Sequence, residues 1–440
     1  METLDALQSG QLKGAKRLDL AAGLTQFPLK ILSLADSLEI LNLTSNHLKS
    51  LPDEFGCLQK LRIAFFSNNS FEQLPAVLSQ CPKLSIVGFK SNKLTTIGEN
   101  TLPSSVRWLI LTDNRIEQVP ASLGRLSQLQ KLMLAGNQLR SLPEEMVKCQ
   151  NLELIRLSAN QLTTLPPWLF TLPRLSWLGY SGNPFCESTS PTPPSLFEID
   201  WAALTIQNLL GEGASGMIFK GSWALGPTQI VDVAIKVFKG NVTSDGFPVD
   251  EMRACMAAGT HPHLVRLLGR VSNHPEQKAG LVFAFVPPTY QTLGNPPSLD
   301  TCTRDTYPPS ATFPLPVILR ITQGIAAAAA HLHARGLLHG DLYAHNILVS
   351  NLGESLLGDF GAASFYPASI GSLARSLEWL EVRAFGCLLE DLLDRCVLND
   401  PHAQTERRDR LCCLQQDCMH PVPSRRPPFT KICDVLATLA

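Results

Sequence analysis

The sequence predicts two domains in one chain, an α/β solenoid and then a domain whose glycine-rich and acidic motifs suit phosphate chemistry. Three observations predict them. A leucine and asparagine pattern recurs at nearly constant spacing through the first half, a Pro/Ser/Thr-rich break follows, and four polar motifs stand in a fixed order in the second half. A length of 440 residues suits this division, since each part is long enough to bury its own core.

Composition excludes several classes. With 45% apolar and 17% charged residues and a formal net charge of -1, the chain has neither the composition of a disordered protein nor the basic excess of a nucleic-acid binder. The N-terminus METLDALQSGQLKGAKRLDL is broken by charges, and the run GIAAAAAHLHARGLL holds Arg335 and two histidines. Neither a secretion signal nor a membrane span is expected, and a cytoplasmic location follows. The 12 cysteines lack metal-ligand spacing and are expected to be reduced.

The first domain is read on one frame. Residues 38 to 52 run Leu38-x-x-Leu41-x-Leu43-x-x-Asn46-x-Leu48-x-x-Leu51-Pro52, and the framework asparagines recur at 69, 92, 114, 137, 160 and 183. A degenerate earlier copy runs from Arg17 to Pro28, with Gly23 at the asparagine position. This pattern resembles the leucine-rich repeat, and the resemblance implies about eight units over residues 1–186, each giving a short parallel strand and a turn. The leucines are expected to fill a continuous interior, and each asparagine carboxamide to bond backbone groups of its own turn and of the neighbouring copy. Alternate strand residues point the other way, so Trp108, Ile110, Met133, Leu154 and Trp177 mark an apolar concave face expected to bind a protein partner. The rival expectation is that this face packs on the chain's own second domain.

Residues 187–196 read as a linker too short and polar to cross a membrane. Beyond it, Leu210-Gly211-Glu212-Gly213-Ala214-Ser215-Gly216-Met217-Ile218 lets backbone turn tightly against an anion, a weak signal by itself. The strand-like run Val231 to Phe238 then carries Val233-Ala234-Ile235-Lys236, where a lysine is costly unless it meets an anion. HGDLYAHNIL at 339–348 and Gly358-Asp359-Phe360-Gly361 complete the order.

On these motifs residues 197–440 resemble a protein kinase catalytic domain. The whole is thus expected to be an α/β leucine-rich-repeat solenoid followed by a bilobal α+β protein kinase fold. The resemblance implies ATP and Mg²⁺ as cofactors and transfer of the γ-phosphate to a protein substrate, to serine or threonine in preference to tyrosine. It implies that Leu210, Gly211, Glu212, Gly213, Ala214, Ser215, Gly216 and Ile218 cover the nucleotide, with Ala234 and Leu348 at the adenine. Lys236 would bridge the α- and β-phosphates, held by Glu251. Asp341 would orient the acceptor hydroxyl and take its proton, while Asn346 and Asp359 would hold the metal.

Four departures from the family pattern carry expectations of their own. Gly340 stands where the family usually has an arginine that pairs with a phosphorylated loop, so loop phosphorylation is not expected to control activity. Tyr343 replaces the lysine usual in serine/threonine kinases. The interval from Asp359 to Glu381, aligned with the aspartate of the large-lobe helix, is short, and no Ala-Pro-Glu lies within it. Arg426, left without that glutamate, is expected at Glu378 or exposed. Two alternatives stay open: a nucleotide-binding but inert kinase scaffold, and a small-molecule phosphotransferase of the aminoglycoside or choline kinase type.

Overall fold

A computed structural model describes residues 2–187, 197–213, 215–226, 228–240, 242–366 and 371–439. Ala214 and most of the expected linker, residues 188–196, lie outside them. The described chain falls into two compact units, residues 1–175 with 183–185, and residues 176–182 with 186–440.

The first unit opens with helix α1 (Glu2–Gln8) and strands β1 (Arg17–Asp19), β2 (Ile40–Asn42), β3 (Ile63–Phe65), β4 (Ile86–Gly88), β5 (Trp108–Ile110), β6 (Lys131–Met133) and β7 (Leu154–Arg156). Each strand pairs in parallel with the next, in a register of one repeat: Leu41 on Ala64, Ala64 on Val87, Val87 on Leu109. Short 3-10 turns after a proline, such as Asp53–Cys57 and Ala121–Arg125, return the chain toward the next strand. Proline suits that start because its missing N–H would have no partner there.

The framework asparagines form the ladder the frame predicts. Asn137 Nδ2 donates to Leu111 O at 2.9 Å and Leu134 O at 3.0 Å, while its Oδ1 accepts from Ile116 N at 3.0 Å. Asn160 repeats this one copy on, with Leu134 O, Leu157 O and Leu139 N, and Asn183 closes the series on Leu157 O and Leu162 N. Each side chain satisfies backbone groups that the tight turn leaves unpaired. Gly23, at the vacant position of the first copy, has φ of +65°.

The strand of the last repeat, β8 (Trp177–Gly179), is grouped with the second unit, as are its flanking residues from Ser176 to Gly182. Helix α2 (Pro184–Glu187) follows.

The small lobe is a six-stranded sheet. Its strands are β9 (Glu198–Asp200), β10 (Leu204–Glu212), β11 (Gly216–Ala224), β12 (Ile230–Phe238), β13 (Leu267–Ser272) and β14 (Gly280–Ala284), in the order β10-β11-β12-β14-β13-β9, with helix α3 (Pro248–Ala258) between β12 and β13. All pairs are antiparallel except β13 with β9. Ile199, Leu204, Val233, Ile235, Val237 and Val282 make its core.

The large lobe holds β15 (Tyr290–Thr292), β16 (Phe313–Pro314), α4 (Leu315–His333), β17 (Leu337–Leu338), β18 (Ile347–Ser350), β19 (Ser355–Leu357), β20 (Ser364–Phe365), α5 (Gly371–Leu393), β21 (Cys396–Val397), α6 (Pro401–Cys418) and α7 (Phe429–Ala437). Helix α4 is long and apolar enough to cross a membrane by composition, but it is mostly buried and packs against α5 and α7 as a core helix does. All 12 cysteines are free thiols.

Candidate active site

The glycine-rich turn joins β10 to β11, and Gly213 N donates to Gly216 O at 2.9 Å to close it. A Cβ on Gly211 or Gly213 would meet open space, whereas one on Gly216 would lie 2.5 Å from Val237 O. Gly216 is therefore required for close packing on β12, and the other two leave room above the turn. Leu210 and Ile218 keep 47% and 37% of their surface exposed, so apolar groups flank that room. Glu212 pairs at the surface with Lys239, and Ser215 is buried with its carbonyl accepting from Lys239 N.

Lys236 sits in β12 opposite Ile218 on one side and Leu281 on the other. It is buried, and its Nζ donates to Glu251 of α3 and lies 3.6 Å from Asp359 Oδ1. Pro248 begins α3, and Gly259, with φ of +65°, caps its end. Burial disfavours the Lys236 ammonium, but Asp359 and Glu251 outweigh it and hold the pKa above the ordinary lysine value. Burial pushes the Glu251 carboxyl up to about 7, against the pull of Lys236.

Asp341, Asn346 and Asp359 meet on the large-lobe side. Asn346 Nδ2 donates to Asp341 Oδ2 and to Asp341 O, both at 2.9 Å, and Gly358 N donates to Asn346 O at 2.9 Å. His339 ties the two loops: one ring nitrogen accepts from Asp341 N at 3.3 Å and the other donates to Gly358 O at 2.9 Å. Asp359 is held at φ of +54°, a backbone conformation rare for a residue with a side chain. Its carboxyl is half exposed and lies below the ordinary aspartate range, first because of the Lys236 ammonium and also through the Gly361 N–H. The Asn346 amide spends its N–H₂ on Asp341 and leaves an oxygen, so with the Asp359 carboxylate it offers the hard donors that Mg²⁺ takes. Ala234 pairs with Phe283 in the small lobe, and Leu348 pairs with Leu356 and Thr292 in the large one.

The arginine lost at Gly340 has a physical reason. Gly340 has φ of +73°, and a Cβ there would lie 2.6 Å from Leu178 O and 2.7 Å from Ala362 O. No side chain fits. Its N–H donates to Glu381 Oε1 at 2.8 Å, and Glu381 Oε2 bonds His333 Nε2 at 2.7 Å, so Glu381 supports the catalytic loop from α5.

Several expectations need correction. Trp177 does not face a separate partner: it is 1% exposed, stacks on Tyr343 and donates from Nε1 to Leu342 O at 3.1 Å. Met133 and Leu154 are buried as well, at 9% and 3%, while Trp108 and Ile110 keep intermediate exposure. Arg426 is buried and donates to His420 O after α6 and to Trp379 O of α5 rather than to Glu378; Glu378 accepts from Tyr366. Residues 176–182, Arg383 and His333 also belong to the surroundings of this site; the first stretch reads in the sequence only as a repeat strand, and none of the four kinase motifs marks any of them.

Comparison with known proteins agrees with the geometry. The family model for protein tyrosine and serine/threonine kinases matches residues 204–374, and leucine-rich-repeat models match 37–58, 104–159 and 127–185. The chain is similar to fibroblast growth factor receptor 1 of Pleurodeles waltl, 24% identical over 60% of this chain and 38% of that protein. It is 28% identical to the megakaryocyte-associated tyrosine-protein kinase of Mus musculus, over 54% of this chain and 49% of that protein. The match thus spans less than half of either relative. A solved leucine-rich-repeat protein of Leptospira interrogans is 32% identical over 40% of this chain and 45% of its own, with a TM-score of 0.38. The chain is a leucine-rich-repeat protein that carries a C-terminal protein kinase domain.

Proposed function

We propose that the chain transfers the γ-phosphate of ATP to protein hydroxyls. One observation carries the reading: Lys236 is paired with Glu251 and lies 3.6 Å from Asp359, while Asn346 is bonded to Asp341, so every polar position of the phosphoryl-transfer set is filled and oriented. Lys236 would hold the α- and β-phosphates, its charge kept by Glu251. Asp341 would orient the acceptor hydroxyl and receive its proton at a carboxylate oxygen, with Asn346 fixing that carboxylate. Mg²⁺ on Asn346 and Asp359 would supply charge neutralisation at the phosphates. Leu210, Ile218, Ala234 and Leu348 would enclose the adenine.

Serine or threonine is the favoured acceptor. The stretch from Asp359 to Glu381 is short, so little chain is available to hold a peptide away from Asp341, and a short acceptor side chain suits a close peptide. The similarity to a tyrosine-protein kinase supports tyrosine as the second reading. Trp108 and Ile110 are proposed to bind a protein partner that brings the substrate. The free cysteines suit a cytoplasmic setting.

Incubating the full chain with labelled ATP and Mg²⁺, separately with a protein mixture and with aminoglycosides, tests the reading. Label on protein serine and threonine is the expected result. Label on aminoglycosides alone, or none at all, refutes it.

A further inference from the structure

Residues Ser176–Gly182 carry the strand of the last repeat by their sequence, yet they touch the catalytic loop, the strand after Gly361, α5 and the start of α3. At the catalytic loop, Trp177 stacks on Tyr343 with ring centroids 4.2 Å apart and planes 8° from parallel, and its Nε1 donates to Leu342 O at 3.1 Å. Leu178 O occupies the space a side chain at 340 would need. Just after Gly361, Tyr180 N donates to Ser364 Oγ at 3.1 Å, and Tyr180 Oη donates to Phe365 O at 3.1 Å. At α5, Arg383 donates to Ser176 Oγ at 2.6 Å. At α3, which carries Glu251, a Cβ on Gly182 would lie 2.7 Å from Asp250 Oδ2 and 2.9 Å from the Phe247 ring.

We infer that residues 176–182 are a positioning clamp of the kinase domain, holding the catalytic loop, the strand after Gly361 and α3 in their working arrangement. The clamp takes the place of the loop-phosphate contact that Gly340 rules out. Its aromatic members are buried: Trp177 and Tyr180 are each 1% exposed. Two large aromatic side chains, fixed by hydrogen bonds at their polar ends, define one position rather than fill space loosely. A catalytic group displaced by about 1 Å can lose on the order of 10²-fold in rate, so removal of such a brace is felt at Asp341. Trp177 acts through Tyr343 and Leu342, and Gly182 acts through α3 on the Lys236–Glu251 pair. The inference rests on the kinase reading for its rate effects, but not for its structural ones.

Two readouts on the full chain test it. The first, hydrogen exchange of backbone amides without nucleotide, does not depend on activity. Trp177→Ala should speed exchange at Asp341 and Asn346 by about tenfold or more, while Ile116 and Leu139 in the asparagine ladder keep their rates. Trp177→Phe, which keeps a ring but loses the bond to Leu342 O, should fall between. Tyr180→Phe should loosen the 364–366 amides alone, and it reads the clamp should Trp177→Ala fail to fold. The second readout is the steady-state split: Trp177→Ala should lower kcat by about tenfold or more at unchanged KM for ATP, and Gly182→Ala should raise that KM. Unchanged exchange in folded Trp177→Phe and Tyr180→Phe overturns the clamp. Faster exchange in a chain whose wild type transfers no phosphate keeps the clamp and refutes the kinase reading.

Discussion

The indole of Trp177 lies parallel to the phenol ring of Tyr343, centroid to centroid 4.2 Å, two positions beyond Asp341 in the chain. Tyr343 stands where the resemblance to serine/threonine kinases would place a lysine. Stacked and 5% exposed, it serves the packing of the loop instead.

Lys236→Met should abolish nucleotide binding or reduce it by about tenfold or more, since a buried apolar side chain cannot replace the ammonium that lies between Glu251 and Asp359. Glu251→Gln should weaken binding less, because Asp359 still faces the lysine. Titration with a fluorescent ATP analogue distinguishes the two, and equal, undiminished binding in both variants contradicts the assigned role.

Activity should not depend on phosphate in the segment after Gly361. Ser364 is fully buried and bonded to Tyr180 N, and Tyr366 is buried with its hydroxyl bonded to Glu378 and His333 O. Ser369 lies outside the described residues. Gly340 offers no cation at its own position beside the catalytic aspartate. Phosphatase-treated chain should transfer phosphate at the untreated rate in a direct assay.

Stability should fall in acid through Glu381. Burial alone would raise its pKa, but the bonds from His333 and Gly340 N, with the nearby His339, bring it below the ordinary value of 4.5. A carboxyl whose folded pKa is depressed adds stability above its unfolded pKa and loses it as pH falls through the folded one. Glu381→Gln should therefore be less stable than the wild type at neutral pH, and the gap should narrow as the pH falls below the ordinary carboxyl value of 4.5. Urea midpoints at the two pH values measure it.

Asn137→Ala should destabilise the repeat unit by about 2 to 4 kcal/mol, because the substitution strands Ile116 N, Leu111 O and Leu134 O in a buried turn. A shift of the urea midpoint of the repeat unit, with kinase-domain folding unchanged, is the expected reading.

Legibility in the sequence follows the physics of each feature. The asparagine ladder is readable because a tight turn repeated in every copy needs the same donor and acceptor each time. Lys236, Asp341, Asn346 and Asp359 are readable because no other side chains supply their chemistry. Glu251, which only the resemblance implies, meets Lys236. Trp177 misleads because alternation along a strand says which side chains leave the core, not what they meet: a ring packed on Tyr343 and a ring open to a partner give the same pattern. Arg426 misleads for a related reason, since its carbonyl partners His420 O and Trp379 O leave no trace in residue identity.

The central claim, that Asp341 directs phosphate from ATP to a protein hydroxyl, is tested most directly by the Asp341→Asn variant of the full chain, assayed for transfer and for nucleotide binding together. The amide keeps the shape and loses the proton acceptor. Transfer should fall by about 10² to 10⁴-fold with ATP affinity intact. Transfer at the wild-type rate in the folded variant would contradict the account.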